Sequence, residues 1–522
     1  MVARPQGWAG AAERASTAPP SLTTRRRPGD RPRPHDVTHC ETAPPSRTSP
    51  PAARRRRAAA SLCVLALLPA LTGCFVDTEK PELALDVPGG YKQGRGTAEV
   101  GPEIDWWRGF RSRELTVLME EAQTSNLDIA AAVARIMQAD AQAQVTGAAL
   151  LPNLSGAGSA TRSRTSTASG GSGLDRSSFT TYLSASYQVD FWGKNRATLL
   201  AAQESAVASR FSRDTVALTA MANVGTYYFQ LLAAQDRLRI ARDNLAAANR
   251  ILGLVRERFG AGTANSLDVS QQESLAATVR ANLPVYEITI AQNAATLAVL
   301  VGRAPEHFAI KGGTLNTVAM PRIAPGLPSD LINQRPDIRY AEAQLVSANH
   351  SVEAARASFF PTIQLTGQNG AQSAALASLF GPGAWFYTAS AALTQPIFDG
   401  GQLLGQLEQS QGKQLELLQS YRQAVINGFA DVERALVALE QQTRRERLQA
   451  EAVRSAREAF QISESRLREG IVDFVTVLNT QQTLFTAQDT LVQARLARFL
   501  AAVSLFQALG GGWPPRIGGN PA

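Results

Sequence analysis

Residues 178–200 read SFTTYLSASYQVDFWGKNRATLL, and they join two periodicities with little more than Gly193 between them. Before the glycine, Phe179, Thr181, Leu183, Ala185, Tyr187, Val189 and Phe191 share one face. Ser178, Thr180, Tyr182, Ser184, Ser186, Gln188 and Asp190 share the other, the period of two that marks a strand. After it, Val207, Phe211, Leu218, Met221, Gly225, Tyr228 and Leu232 recur at steps of three, four and seven, with no proline from Asn195 to Leu283. Such a stripe needs a partner helix. The predicted strand, about thirteen residues at roughly 3.3 Å each, reaches about 43 Å. The predicted helix, Asn195 to Arg258, reaches about 95 Å at roughly 1.5 Å per residue. These lengths suit a conduit, not a compact globule.

The same junction returns downstream. Gln188, Phe191 and Gly193 reappear as Gln395, Phe398 and Gly400, ahead of a second proline-free run from Gln402 to Arg468. Ile129 through Pro152 matches Ile338 through Pro361 with identical spacing. The chain is therefore two copies of one unit, 207 to 209 residues apart, each ordered helix, proline, strand, loop, strand, helix. The last strand, from Trp385, sets Tyr387, Ala389, Ala391 and Leu393 against Thr388, Ser390 and Thr394. That parity conflicts with the repeat alignment, and a one-residue bulge is expected to reconcile them.

Charge gives no support to a polyanion partner. The formal net charge is +8, but residues 1–73 hold twelve arginines and four acidic residues, leaving forty basic and forty acidic residues from Cys74 onward. In that leader, Arg54–Arg57 form a basic run, Ala58–Leu71 an apolar run too short to span a membrane, and Leu71-Thr72-Gly73-Cys74 follows. This is the order of a lipoprotein signal peptide with Cys74 as the acylated residue. Met1–Ala53, rich in Pro, Arg, Ser and Thr, is expected to be disordered or, as the preferred reading, to precede the true start of translation. After processing, Cys74 is the one cysteine left in the chain, so neither an intrachain disulfide nor a cysteine zinc site is expected. His35, His39 and Cys40 lie in the leader with no second cluster to complete a metal site.

From Cys74 the sequence divides into an extended tether (74–103), a first repeat (104–302), a proline-rich connector (303–334), a second repeat (335–509) and a flexible tail (510–522). Trp106-Trp107 reads as core packing at a helix start. Ser125-Asn126 offers an N-cap, Pro152 ends that helix, and a strand begins at Asn153. Thr161 to Ser178, poor in apolar residues, is expected to be a solvated loop. Gly170–Gly173 lacks the lysine and following helix of a phosphate cradle. Gly260 and Gly262 permit a helix reversal between Phe259 and Asp268, and a second is expected between Leu467 and Asn479.

Leu327-Pro328-Ser329-Asp330-Leu331 and Arg335-Pro336-Asp337-Ile338-Arg339, with Trp106-Trp107, the lipobox and the duplication, closely resemble the NodT subgroup of TolC-like outer-membrane efflux lipoproteins. The resemblance spans about Glu103 to Leu509. It implies an α+β membrane protein, a homotrimer in which four strands per subunit close a twelve-stranded β-barrel, continued by a long periplasmic α-helical barrel. It further implies a passive duct in the outer membrane for drugs or other toxic small molecules. A periplasmic adaptor would connect the duct to an inner-membrane resistance-nodulation-division transporter that supplies the energy. Neither cofactor nor nucleic acid is implied, and with His307 and His350 the histidines of the mature chain, no catalytic constellation emerges. Two alternatives stay open: a duct for type I protein secretion, and a non-conducting envelope spacer. The reversals would form the periplasmic gate, but Thr476 and Asn479 stand where the family often has aspartate. The candidate gate residues are then Asp473, Phe474, Asn479 and Asp268, with Asp473 and Asp268 equally well read as helix starters.

Each methylene of an acyl chain buried in the leaflet contributes about 0.8 kcal/mol, so two or more chains on Cys74 anchor the amino terminus. Cys74→Ser is expected to abolish metabolic labelling by a fatty-acid analogue; a mutant that still labels removes the assignment.

Overall fold

The computed structural model describes residues 87–92, 105–169 and 173–511, all within a unit spanning Asp77–Ala522. The leader, Cys74, most of the tether and nearly all of the tail lie outside the described residues. The elements run α1 (Arg113–Ser125), α2 (Leu127–Gly147), β1 (Asn153–Arg164), β2 (Asp175–Val189), α3 (Lys194–Gly260) and α4 (Ser266–Leu300). They continue as α5 (Pro328–Gln334), α6 (Pro336–Ala357), β3 (Thr362–Ser373), β4 (Trp385–Thr394), α7 (Gln402–Arg468) and α8 (Phe474–Ala508). The duplication is exact in its long parts. α3 and α7 have 67 residues each, and α4 and α8 have 35 each.

The strand-to-helix switch rests on local chemistry. Gly193 (φ 77°) and Gly401 (φ 88°) occupy the left-handed region just before α3 and α7, a conformation that costs glycine little. Upstream carboxylates satisfy the free amides. Asp190 accepts from the N–H groups of Asn195 and Arg196, both at 2.9 Å, and Asp399 from those of Gly401 and Leu403 at 3.0 and 2.8 Å. Asn126 caps α2, accepting from Asp128 and Ile129 at 2.9 and 3.0 Å.

The four strands form one antiparallel sheet in the order β1-β2-β3-β4. Two expectations are corrected here. The pairing of β1 with β2 extends out to Arg164 opposite Asp175, so the connecting loop is shorter than Thr161–Ser178. Serine and threonine need no apolar cover to keep backbone pairs, and Arg162 bridges to Asp175 at 3.1 Å. The expected bulge is absent, because β3 and β4 pair without interruption from Thr362↔Thr394 to Ala371↔Trp385. The second halves of the two repeats instead correspond at 208 residues, Lys194 to Gln402 and Ser266 to Phe474. Seven residues (395–401) separate β4 from α7 where four (190–193) separate β2 from α3. The longer link reflects β4 ending three residues earlier, since β2 and β4 also correspond at 208; the step from 209 to 208 falls in the loop between the paired strands, and the alternation is unbroken across the sheet.

Below the sheet the helices make a layer. α2 and then α4 pack on one side of α3, α6 and then α8 pack on its other side, and α7 lies beyond those two. Near the sheet, Ser347 of α6 donates to the Ala201 carbonyl of α3 at 2.8 Å and Arg210 pairs with Asp140 of α2 at 2.8 Å. Further along, Arg237 pairs with Asp489 of α8 at 2.5 Å and Arg242 with Glu287 of α4 at 3.1 Å. The largest core cluster holds Trp106, Trp107, Phe110, Phe229, Phe499 and Phe506. Trp106 stacks on Phe506 at 4.9 Å, so the tryptophan pair packs the core.

Arg335, 9% exposed, ties the second repeat together. It donates to Asp337 at 3.0 and 2.7 Å, to Asp431 of α7 at 3.2 Å and to the Ala508 carbonyl at the end of α8 at 3.0 Å. Burial lowers its pKa and the two aspartates raise it further, for a net rise. Arg335→Met removes every one of these bonds while keeping most of the side-chain volume. It is expected to destabilise the helical region by about 2 kcal/mol, read as a lower denaturant midpoint; an unchanged midpoint would show the cluster to be energetically neutral.

Candidate functional site

Two regions carry the functional geometry: the sheet and the pair of helix reversals farthest from it along α3 and α7. In the sheet, residues opposite one another point to the same side. Leu183 lies between Gly156 and Asn369, which in turn faces Tyr387. Tyr187 lies opposite Leu365, which faces Ala391. This side carries Leu154, Phe179, Val189, Ile363, Trp385 and Leu393 as well. The reverse side carries Ser184 against Ser155 and Gln368, and Gln188 against Gln364. Among the described residues, β1 and β4 each pair with one strand, leaving two open edges.

At the first reversal, Gly262 (φ 75°) turns the chain. Asn265 accepts from the Asp268 N–H at 2.9 Å, and Asp268 accepts in return from the Asn265 N–H at 3.3 Å. This capping box fixes the start of α4. At the second, Gly470 (φ 75°) turns the chain and Asp473 caps α8. Its carboxylate accepts from the Thr476 N–H at 2.9 Å and from the Thr476 hydroxyl. Those bonds, the hydroxyl's foremost, hold the Asp473 carboxyl below its ordinary range. A depressed carboxylate pKa stabilises the fold above the unfolded value, and the contribution is lost as pH falls through the folded value. The cap is therefore fully charged at neutral pH.

The candidate gate residues thus differ in role. Asp268 and Asp473 both cap helices, Phe474 is buried in the tip core with Ile251, Val255, Phe460, Leu467 and Leu478, and Asn479 is exposed on α8. What joins the two reversals is Arg258, which donates to the Leu467 carbonyl. Beside it, Glu464 takes bonds from Arg250 at 3.2 and 3.3 Å and from Arg468 at 2.7 Å. Buried Gln272 donates to Gln481 at 3.1 Å and to the Ala248 carbonyl at 2.9 Å. Of these, the Glu464–Arg468 pair had a sequence signal, the four-residue spacing; the rest join residues far apart in the chain.

A sheet polar on one side and apolar on the other, open at both edges and continued directly into paired helices about 100 Å long, defines a segment of a barrel channel prolonged by a helical tunnel. The chain belongs to the outer membrane efflux protein family, whose model matches residues 118–303 and 327–511. It is 40% identical over 426 residues to the pyoverdine export outer membrane protein OpmQ of Pseudomonas aeruginosa, covering 80% of this chain and 89% of that protein. It is 30% identical over 466 residues to the toluene efflux pump outer membrane protein TtgF of Pseudomonas putida, covering 86% and 96%. Among solved structures, the open state of the MtrE outer membrane channel of Neisseria gonorrhoeae matches with a TM-score of 0.75 at 26% identity, over 84% of this chain and 97% of that one. As a member of this family the chain is an outer-membrane efflux channel, with the barrel and helical-tunnel fold of its relatives.

In a barrel crossing the membrane, the apolar side meets lipid and the polar side meets water. Leu183→Arg is expected to cost about 2 to 4 kcal/mol of barrel stability near mid-membrane. Ser184→Arg is expected to be tolerated and to change single-channel conductance. Equal tolerance at the two positions would refute the facing.

Proposed function

We propose that three copies of this chain close one twelve-stranded barrel and one helical tunnel, forming the exit duct of a tripartite pump for small molecules. Four strands cannot close alone, and each open edge needs a partner in hydrocarbon. That pair of open edges is the observation that carries the reading. The chain is anchored to the outer membrane through acylated Cys74 and extends into the periplasm. A periplasmic adaptor docks at the reversals, and an inner-membrane transporter of the resistance-nodulation-division type supplies the energy. Residues 104–302 and 335–509 act as the two structural repeats, joined by 303–334. The names of the relatives, for pyoverdine export and toluene efflux, favour small cargo over secreted protein. Planar-bilayer recording of the purified trimer, with export assays in a deletion strain, tests this. Open channels together with loss of small-molecule export support it, loss of a secreted protein alone would move the chain to type I secretion, and no conductance would make it a spacer.

At the tip, Asp473 holds α8 in the closed arrangement and adaptor binding replaces its contacts. Three-fold symmetry repeats the carboxylate around the axis. Asp473→Ala is expected to raise resting conductance or sensitivity to large antibiotics. A variant with wild-type currents and unchanged trimer yield would leave closure to the apolar packing around Phe474.

A further inference from the structure

The strands of the sheet and the loops between them, residues 153–189 and 362–394, hold four charged side chains: Arg162, Arg164, Asp175 and Arg176. All four sit where β1 passes into β2, at the end of the sheet farthest from the long helices. From Arg176 to Val189, where the chain turns toward α3, the strand runs for about 43 Å at roughly 3.3 Å per residue. The register divides the four charges between the two sides of the sheet. Arg162 opposite Ser177 and Arg164 opposite Asp175 fall on the apolar side with Leu183, and Arg162 pairs with Asp175 there at 3.1 Å. Arg176, opposite Ser163, falls on the polar side with Ser184 and Gln188.

Apart from Arg176, the polar side is neutral. It is built of hydroxyls and amides, some bonded to one another: Thr366 with Ser390 at 2.6 Å, and Gln372 to the Ser178 hydroxyl at 3.2 Å. Arg176 is exposed. The one carboxylate of these segments, Asp175, lies on the opposite side and is taken by Arg162. The second repeat has no equivalent cation, since the position 208 residues on is Ala384. The charge therefore occurs once per chain and, in a closed trimer, three times around one level of the barrel.

We infer that Arg176 sets the charge selectivity of the duct at its outer mouth, and that the cargo this mouth favours is small organic anions, bearing carboxylate or phosphate groups. The inference deepens the exit-duct reading and rests on it. Twelve strands about 4.8 Å apart and tilted by about 40° enclose a barrel of about 12 Å radius to the backbone. The arginine side chains reach inward from that wall, so the axis lies within about 10 Å of all three, the screening length in about 0.1 M salt. Their fields overlap across the whole opening, and the low-dielectric wall concentrates them there. Rings of arginine or lysine give pores a preference for anions. The neutral lining completes the device. Hydroxyls and amides exchange hydrogen bonds with a passing solute, and with no second charged ring to hold it, an anion drawn to the mouth is released.

The test records the full chain, purified as the trimer, in planar bilayers. Potassium chloride is set at about 0.1 M on the periplasmic side and about 0.01 M on the outer side, where the screening length grows to about 30 Å. The parent is expected to pass chloride over potassium by at least about twofold, read from the reversal potential. Arg176→Lys is expected to keep that ratio, Arg176→Gln to halve it or more, and Arg176→Glu to invert it. Arg164→Gln removes the same charge from the other side of the wall and is expected to leave the ratio unchanged. Millimolar citrate on the outer side is expected to reduce the current of the parent several-fold more than that of Arg176→Gln. Equal ratios in the parent, Arg176→Gln and Arg176→Glu, or an equal shift from Arg164→Gln, overturn the role of Arg176 and leave the exit-duct reading intact. A parent that favours potassium, or equal block by citrate in the two channels, overturns the anionic cargo. A parent that never conducts overturns the exit-duct reading itself.

Discussion

A backbone amide or carbonyl left unpaired in hydrocarbon costs several kcal/mol, and that cost shapes this chain from end to end. The sheet satisfies its inner strands completely through β1-β2, β2-β3 and β3-β4, and passes the outer edges of β1 and β4 on to assembly. Because each strand leads to or from a helix with only short links, the arrangement of strands around a barrel also sets the arrangement of helices around a tunnel. The edge helices then inherit the incompleteness of the edge strands, which accounts for large apolar side chains such as Ile426 and Ile288 standing in the open on a single chain.

Duplication makes this economical. One packing solution, tested inside each polypeptide between its halves, can serve again between polypeptides, provided that the two halves keep the same register. The structure keeps it closely. The one-residue difference, a residue more between β1 and β2 than between β3 and β4, falls in a link without strand pairing. The polar tip follows a similar logic. Asp268 and Asp473 satisfy the amides of their own helix starts, while Arg258 spans the two reversals. Each hairpin is thus locally complete and joined to its neighbour by few bonds.

Much of the fold was legible because it rests on period. The alternation around Leu183 placed the central strand, which runs Asp175–Val189 rather than to Phe191, and the proline-free runs beginning at Asn195 and Gln402 gave the long helices almost to the residue. The bulge was an error of alignment. Phe191 and Phe398 look alike in sequence, but the equivalence set by pairing runs through Gly193 and Gly401. The strand ends beyond Thr161 were missed because Ser163 and Arg164 have no apolar signal, and backbone pairing asks for none. At the tip, Asp268 and Asp473 were visible as helix starters. The bond of Arg258 to Leu467 and the buried Gln272–Gln481 contact were not, since each depends on how two distant segments cross.

The equal lengths of the helices carry a further consequence. With 67 residues in both α3 and α7, and 35 in both α4 and α8, the two hairpins of a chain descend by the same distance from their sheet. Six such hairpins around a three-fold axis end in a level rim. One residue inserted in a single helix would lower its hairpin by about 1.5 Å and rotate everything beyond it by about 100°, spoiling both the rim and the faces that pack along it. Length in these helices is therefore a property of the ring as a whole. Their residues can drift during evolution by substitution, but their length changes only when both hairpins change together and by whole turns.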